Sequence, residues 1–139
     1  MSSVELRPCL IDTSVWIRTD RKAHDAVKHR LKELLVAGFV HICWPIRAEL
    51  RIGVKTPERW VALNEQLGAL EQAPLSDEAW ERAARLGHQL ARTGQSVPLP
   101  DLLIAATALL YGLALWSVDH DFKRIAPVAP LDLDLFGMD

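Results

Sequence analysis

The sequence contains little cysteine, no excess of either charge and no long apolar segment. Its two cysteines lie in apolar runs without a Cys-x-x-Cys spacing, which favours buried free thiols over a disulfide or a zinc site. Lys and Arg number 16 against 18 Asp and Glu, so charge alone does not indicate nucleic acid as a partner. No apolar run could span a membrane, and the first residues lack a signal-peptide pattern, so we expect a cytoplasmic protein without membrane contact.

Hydrophobic residues make up 50% of the chain, and 139 residues are enough to bury a substantial core. We therefore expect one domain over residues 1–139. Short apolar runs alternate with segments of helical period, which is typical of a parallel sheet covered on both faces by helices. The predicted fold class is α/β, a three-layer α/β/α sandwich with a central, mostly parallel sheet.

The pattern also gives the individual elements. The predicted strands are residues 8–11, 40–44, 72–75, 113–118 and 128–133, and the predicted helices start at residue 13 and span 25–37, 45–53, 58–71, 77–92, 98–110 and 121–125. Residues 98–110 are apolar on nearly all sides, so we expect that helix to lie in the core. We expect the five tryptophans to be core residues more often than surface residues.

Four carboxylates are expected to meet at one edge of the sheet. Asp12 and Asp119 each directly follow a predicted strand, and Glu49 lies early in the helix that leaves the second strand. Asp101 is in the first turn of the central helix, which runs back into the strand that ends at Asp119. Because ligands gather at the carboxyl ends of parallel strands, the sequence predicts a site there. A helix cap or a turn is the alternative role for these acids.

Such a cluster is unstable unless protons or cations neutralise it, since two carboxylates about 4 Å apart repel by roughly 4 kcal/mol at an effective dielectric near 20. Oxygen ligands suit hard cations, so we expect Mg²⁺ or Mn²⁺ rather than zinc. Glu49 shares its helix face with Ile46 and Ile52, where a lone acid would be unfavourable. A divalent cation held by carboxylates activates water and shields phosphate oxygens, so phosphodiester hydrolysis is the predicted chemistry.

Four short motifs carry these acids: LIDTSVWI at residues 10–17, AEL at 48–50, PDLLIAATA at 100–108 and SVDHDF at 117–122. Together they resemble the PIN-domain ribonucleases, in particular the VapC-type toxins of bacterial toxin–antitoxin pairs. The resemblance implies a Mg²⁺- or Mn²⁺-dependent endoribonuclease that acts on RNA. It also implies a toxin that is commonly a homodimer and is held inactive by a cognate antitoxin.

The resemblance further assigns roles to single residues. It implies that the catalytic metal ligands are Asp12, Glu49, Asp101 and Asp119. It implies that Thr13 or Ser14, and Ser117, orient these acids by hydrogen bonds, although the family more often has threonine at the last of these positions. Asp121 is a fifth acid nearby, which could reach the metal through water or could instead pair with a neighbouring base.

An RNA substrate requires positive charge near the same edge. Five basic residues follow either the first helix or Asp119, and each could instead be a solvated surface charge; they are Arg18, Arg21, Lys22, Lys123 and Arg124.

Two alternative functions stay open. A housekeeping PIN-domain nuclease that processes RNA without an antitoxin would carry the same acids. A receiver-like signalling module also binds Mg²⁺ on an α/β sheet without being an enzyme. It is less favoured, because it requires paired acids after the first strand and a lysine after a late strand, where this chain has the single Asp12 and Asp119.

Overall fold

A computed structural model describes residues 6–19 and 25–138. Within these residues one sheet is formed by β1 (Cys9–Ile11), β2 (Val40–Ile42), β3 (Glu71–Gln72), β4 (Ala114–Trp116) and β5 (Leu133–Asp134). The strand order is β3-β2-β1-β4-β5, and every neighbouring pair is parallel. All carboxyl ends of the strands therefore lie at the same edge.

Helices connect these strands. They are α1 (Thr13–Thr19), α2 (Asp25–Ala37), α3 (Trp44–Ile52), α4 (Pro57–Gly68), α5 (Asp77–Arg92) and α6 (Leu99–Tyr111), and a 3₁₀ turn covers His120–Arg124. Side-chain caps define two of the starts: the Ser76 hydroxyl accepts from the Ala79 N–H at α5, and the Thr56 hydroxyl accepts from the Arg59 N–H at α4.

The sheet has a hydrophobic core on each face. Successive strand residues point to opposite faces, so Leu10 and Leu115 pack with α3 to α6, whereas Ile11 and Trp116 pack with α1 and α2. The predicted three-layer arrangement is therefore confirmed. Both cysteines are buried free thiols, as expected. No helix in the described part of the chain is long and apolar enough to cross a membrane.

The central helix α6 lies in the core, with Leu102 to Ala108 all buried. Helix α5 approaches it closely at Gly87, where an added Cβ would lie 2.9 Å from a methyl carbon of Leu102. Helix α6 is followed by Gly112, whose φ of 63° belongs to the left-handed region that glycine adopts without strain. The chain then enters β4 at once, so α6 runs antiparallel to β4. The amino end of α6 therefore lies at the edge of the sheet where β4 has its carboxyl end.

Three tryptophans contradict the expectation of core positions. The predicted strand 40–44 ends at Ile42, and Trp44 instead begins α3 and is 52% exposed. Pro45 explains this, because a residue without an N–H suits the first helical turn and the helix starts just before it. Trp60 and Trp80 lie on outer helices and are about half exposed. Trp116 is buried in β4, as predicted.

Further boundaries differ from the sequence pattern. Helix α4 ends at Gly68 rather than at residue 71, and the edge strand β3 is at Glu71–Gln72 rather than at 72–75. The last strand is not at 128–133 but at Leu133–Asp134, because the preceding residues form turns around Pro130, which has no N–H to pair in a sheet.

Candidate metal centre

Asp12 is held at the carboxyl end of β1, where its side chain is 3% exposed. Its backbone N–H donates to the Trp116 carbonyl at 2.9 Å, which ties the end of β1 to β4. Its Oδ2 atom accepts from the Ser14 hydroxyl at 2.6 Å and from the Ser117 hydroxyl at 3.0 Å. These bonds hold the carboxylate in place through Oδ2, and the other oxygen can bind a metal ion.

The two serine hydroxyls join the ends of β1 and β4. The Ser14 hydroxyl accepts from the Val118 N–H at 3.1 Å, and the Ser117 hydroxyl accepts from the Asp119 N–H at 2.9 Å. Each hydroxyl has one hydrogen, and each can donate it to Asp12. Asp12 and Asp119 are thus set relative to each other by this short network.

Glu49 is brought to the same edge by α3. The Thr13 hydroxyl donates to its Oε1 atom at 2.8 Å, so the residue after Asp12 holds the second acid. The sequence argument that Glu49 lies on an apolar buried face was wrong. Ile46 is buried, but Ile52 is 81% exposed, because this helix face passes from the core to the surface along its length. Glu49 lies at that transition and is itself exposed.

Three further acids come from α6 and the 3₁₀ turn. Carboxylate oxygens of Asp101, Asp119 and Asp121 all lie within 4.8 Å of one another. Asp119 Oδ1 accepts from the Asp121 N–H at 2.9 Å, which caps the 3₁₀ turn. Asp121 also pairs with Arg124 at 3.3 Å, so both roles considered for it from the sequence are compatible with its position. The sequence analysis placed Asp121 near the site because it follows Asp119 by two residues, and the structure brings it beside Asp101 and Asp119.

Asp101 interacts electrostatically with the other four acids of the cluster. Burial, together with repulsion from Asp12, Asp119, Glu49 and Asp121, raises the pKa of Asp101 to about 7. Burial also raises the pKa of Asp12, against the opposing effect of its serine hydrogen bonds. Asp101 and Asp12 therefore lie in surroundings that favour a proton or a cation on the carboxylate.

The donors at this centre are carboxylate oxygens. The nearby Cys43 is a poor ligand, because burial raises the pKa of its thiol to about 12 and keeps it protonated. Among the described residues, the group whose oxygens lie close enough to share one ion consists of Asp101, Asp119 and Asp121. It contains no histidine and no cysteine. Carboxylate oxygens fit a hard divalent cation such as Mg²⁺ or Mn²⁺, which could be held by Asp12, Glu49, Asp101 and Asp119 with support from Asp121.

The basic residues proposed from the sequence take different positions. The Arg18 guanidinium donates to the Gly137 carbonyl, and Arg124 binds both Asp121 and the Ser96 carbonyl. Lys123 is exposed next to Arg124. Arg21 and Lys22 lie outside the described residues.

Two cations that the sequence analysis did not single out share a groove with Glu49. Lys55 and Arg59 line a groove of about 620 Å³ whose wall also includes Glu49 and Trp16. Lys55 follows the helix that carries Glu49, which was the signal in the sequence. We name this the α1–α4 groove, since these four helices form it.

The metal-free protein is expected to lose stability as the pH rises towards 7, because Asp101 then ionises inside the acidic cluster. Its carboxyl has a pKa of 3.8 when unperturbed and about 7 in the fold, so the folded state holds an extra proton between these values. The shift would correspond to about 4 kcal/mol for a fully buried group, and solvent screening of this partly buried one reduces the effect to about 1–2 kcal/mol. Thermal unfolding in EDTA measures it: the melting temperatures of wild type and Asp101→Asn diverge with rising pH. Parallel curves would contradict the assignment.

Comparisons with known proteins agree with this geometry. Residues 9–127 match the PIN domain family. The chain is 30% identical to ribonuclease VapC18 of Mycobacterium tuberculosis, over 85% of this chain and 87% of that protein. It is 34% identical to ribonuclease VapC21 of the same organism, over 86% of each chain.

Solved structures show the same fold. VapBC-5 of M. tuberculosis, a member of the VapBC family of toxin–antitoxin systems, has a TM-score of 0.62 at 27% identity, over 91% of this chain and 94% of that chain. The DNA-bound VapBC of Salmonella typhimurium has a TM-score of 0.76 at 24% identity, over 94% of this chain and 98% of that chain.

Proposed function

The chain belongs to the PIN domain family, and from this premise we propose that it is a Mg²⁺- or Mn²⁺-dependent endoribonuclease, the VapC-type toxin of a toxin–antitoxin pair. The observation that carries the proposal is the convergence of acids at one edge of the sheet, where carboxylate oxygens of Asp101, Asp119 and Asp121 lie within 4.8 Å of one another. Such a cluster is a means of concentrating a divalent cation. Two relatives that are at least 30% identical over most of the chain are ribonucleases by name, which supports RNA as the substrate.

The proposed metal ligands are Asp12, Glu49, Asp101 and Asp119. A bound divalent cation supplies an activated water and shields the phosphate oxygens of the scissile bond. The chain contributes positioning, because Ser14 and Ser117 hold one oxygen of Asp12 and Thr13 holds one oxygen of Glu49. The Asp101 carboxyl, whose pKa is raised to about 7, can hold a proton near neutral pH in the absence of a cation.

Asp121 is proposed as a supporting acid rather than a direct ligand. Its pairing with Arg124 places a cation beside the cluster, at a position suited to a phosphate of the RNA. Lys123, exposed beside it, and the cations of the α1–α4 groove extend the positive charge on either side of the acids. We propose that these residues contact the RNA backbone.

We propose that a cognate antitoxin inhibits this activity, as the toxin–antitoxin assignment of VapBC-5 suggests. An endoribonuclease toxin meets its RNA substrate in the cytoplasm, so this is the compartment we propose.

The proposal is tested by incubating purified protein with an end-labelled total RNA pool in Mg²⁺ or Mn²⁺, beside an EDTA control. Metal-dependent fragments are the expected result, and sequencing of their ends identifies the target. Calorimetric titration with Mn²⁺ is measured in parallel. If the protein neither binds Mn²⁺ nor cleaves RNA, the carboxylate-cluster argument is wrong.

Replacing Ser14 and Ser117 together by alanine is expected to lower metal affinity by about 10- to 100-fold while preserving the fold, because Asp12 loses both hydroxyl donors. Mn²⁺ titration measures the affinity and circular dichroism the fold. Ser76→Ala, which removes a hydroxyl cap from α5 and lies outside the cluster, is the control and should leave metal affinity unchanged. An unaltered affinity in the double variant would show that the hydroxyls do not position Asp12.

A further inference from the structure

A stacked pair of side chains, Arg51 of α3 and Trp60 of α4, lies at the surface where these two helices meet. The central carbon of the guanidinium is 4.0 Å from the centroid of the indole ring. Trp60 is nevertheless 46% exposed. Because the guanidinium covers one face of the ring, the exposed surface is left to the other face and the edges. We name Arg51 and Trp60 the α3–α4 platform.

The guanidinium of Arg51 has donors without acceptors. Its Nε atom is buried with no hydrogen-bond partner, and no ion pair or hydrogen bond engages the guanidinium among the described residues. Arg47, one turn earlier in α3, also stacks on a tryptophan. It differs because it donates to Gln72 at 3.0 Å and to Asn64 at 3.1 Å. Arg47 therefore links α3 to its neighbours in the fold, whereas the Nη donors of Arg51 can bind a ligand.

The platform belongs to a basic stretch that adjoins the α1–α4 groove. Residues 51–60 contain one acid, Glu58, and three cations, which are Arg51, Lys55 and Arg59. Lys55 and Arg59 line the α1–α4 groove, and Glu49 of the metal centre lies in its wall. Trp60 directly follows Arg59, so the cations extend from this groove to the platform. Positive charge arranged along a surface in this way attracts a polyanion.

We propose that the α3–α4 platform binds single-stranded RNA away from the metal centre, with one unpaired base stacked on Trp60 and an adjacent phosphate bound by Arg51. An exposed indole suits any base, because every base has a π face. A guanidinium without a carboxylate partner suits a phosphate, to which it can donate two parallel hydrogen bonds.

The same geometry selects against double-stranded RNA. In a duplex the faces of the bases are stacked on one another, and recognition of unpaired bases by aromatic rings requires loops, bulges or single strands. Single strands are thereby the substrate class of the proposed nuclease, on whose function this inference rests.

Binding is measured with the full chain in EDTA, where no metal-dependent cleavage occurs, and an end-labelled oligouridine of about ten nucleotides. Trp60→Ala is expected to weaken the affinity by roughly 5- to 100-fold, the range for loss of one base–aromatic stack. Trp60→Phe keeps a flat ring and should retain most of the affinity. Circular dichroism checks that both variants fold, which is expected because Trp60 is half exposed.

Arg51→Gln tests the phosphate contact through the salt dependence of binding. Loss of one phosphate contact to a single strand should make the slope of log affinity against log salt concentration shallower by about 0.7. A purely structural role of Arg51 would leave this slope unchanged. Arg85→Gln is the matched control, because Arg85 is an exposed arginine of α5 that pairs with Glu81 and lies outside the platform. It should change neither the affinity nor the slope.

Three results would overturn the proposal. One is a wild type that does not bind oligouridine at micromolar concentration, and another is a folded Trp60→Ala variant that binds it as tightly as wild type does. The third is equally tight binding of wild type to a blunt oligouridine–oligoadenosine duplex or to polyglutamate, which would indicate a surface for polyanions without base stacking.

Metal-dependent cleavage is measured separately on the same preparations. A wild type that binds oligouridine through Trp60 but cleaves no RNA would refute the nuclease proposal alone. A wild type that cleaves RNA, together with unaltered binding in Trp60→Ala, would refute the platform alone.

Discussion

Asp101→Asn is expected to reduce RNA cleavage by about a thousandfold or more while the protein still folds. The substitution keeps the shape of the side chain and removes the negative charge that a divalent cation needs. Because Asp101 is repelled by the other acids of the cluster, the metal-free variant should be at least as stable as wild type above neutral pH. Loss of activity without loss of stability would distinguish a ligand from a structural residue.

Cleavage of labelled RNA and thermal unfolding measure these two effects on the same preparations. Asp77→Asn is the matched control, because Asp77 is likewise an acid in the first turn of a helix but lies exposed at α5, outside the cluster. It should cleave RNA at the wild-type rate. Full activity of Asp101→Asn would remove Asp101 from the proposed ligands and leave it a helix-dipole role.

The parts of the fold that the sequence predicted correctly have strong local signals. Helix α2 has the predicted bounds because a clear amphipathic period ends at Gly38, which adopts a positive φ of 75°. Helix α5 has the predicted bounds because Ser76 caps it. The convergence of the acids followed from the rule that parallel strands share an edge, so the positions of Asp12 and Asp119 required no coordinates.

The features that the sequence did not predict depend on contacts between distant segments. Pro45 marks the start of α3 locally, but whether the Trp44 ring at that start is covered depends on which other segments pack against it. The cations of the α1–α4 groove become neighbours of Glu49 only through the packing of four helices. The role of Arg30, a charged residue on the buried face of α2, was also missed.

Arg30 ties α2 to the carboxyl-terminal strand. Its guanidinium forms a buried ion pair with Asp134 and lies over the rings of Trp116 at 4.7 Å and Phe136 at 4.8 Å. Although burial alone would raise the pKa of Asp134, hydrogen bonds from Arg30 and from the Phe136 N–H lower it overall. The Asp134 carbonyl accepts from the Ser117 N–H at 3.0 Å, so this pair also supports a residue that holds Asp12.

Arg30→Ala is therefore expected to destabilise the protein by about 3–5 kcal/mol, because it leaves the Asp134 carboxylate buried without its partner. Urea unfolding measures the change. Arg82→Ala is the control: Arg82 pairs with Glu78 on the exposed face of α5, and its removal should change the free energy of unfolding by less than about 1 kcal/mol. Equal effects of the two variants would show that the buried Arg30–Asp134 pair contributes no more to the free energy of unfolding than an exposed pair does.

The double variant Arg30→Met with Asp134→Leu tests whether the charges of this pair or its packing stabilise the protein. The Nε and Nη1 atoms of Arg30 are buried with no hydrogen-bond partner among the described residues, so an apolar replacement of the whole pair should recover most of the lost stability. The part of the pH dependence of stability that comes from Asp134 should disappear with it. In wild type the lowered pKa of Asp134 gives stability above its unperturbed value of 3.8, which is lost as the pH falls through the still lower value in the fold. A double variant that remains as unstable as Arg30→Ala would mean that the stacking of the guanidinium on Trp116 and Phe136, rather than its charge, holds α2 to the strand.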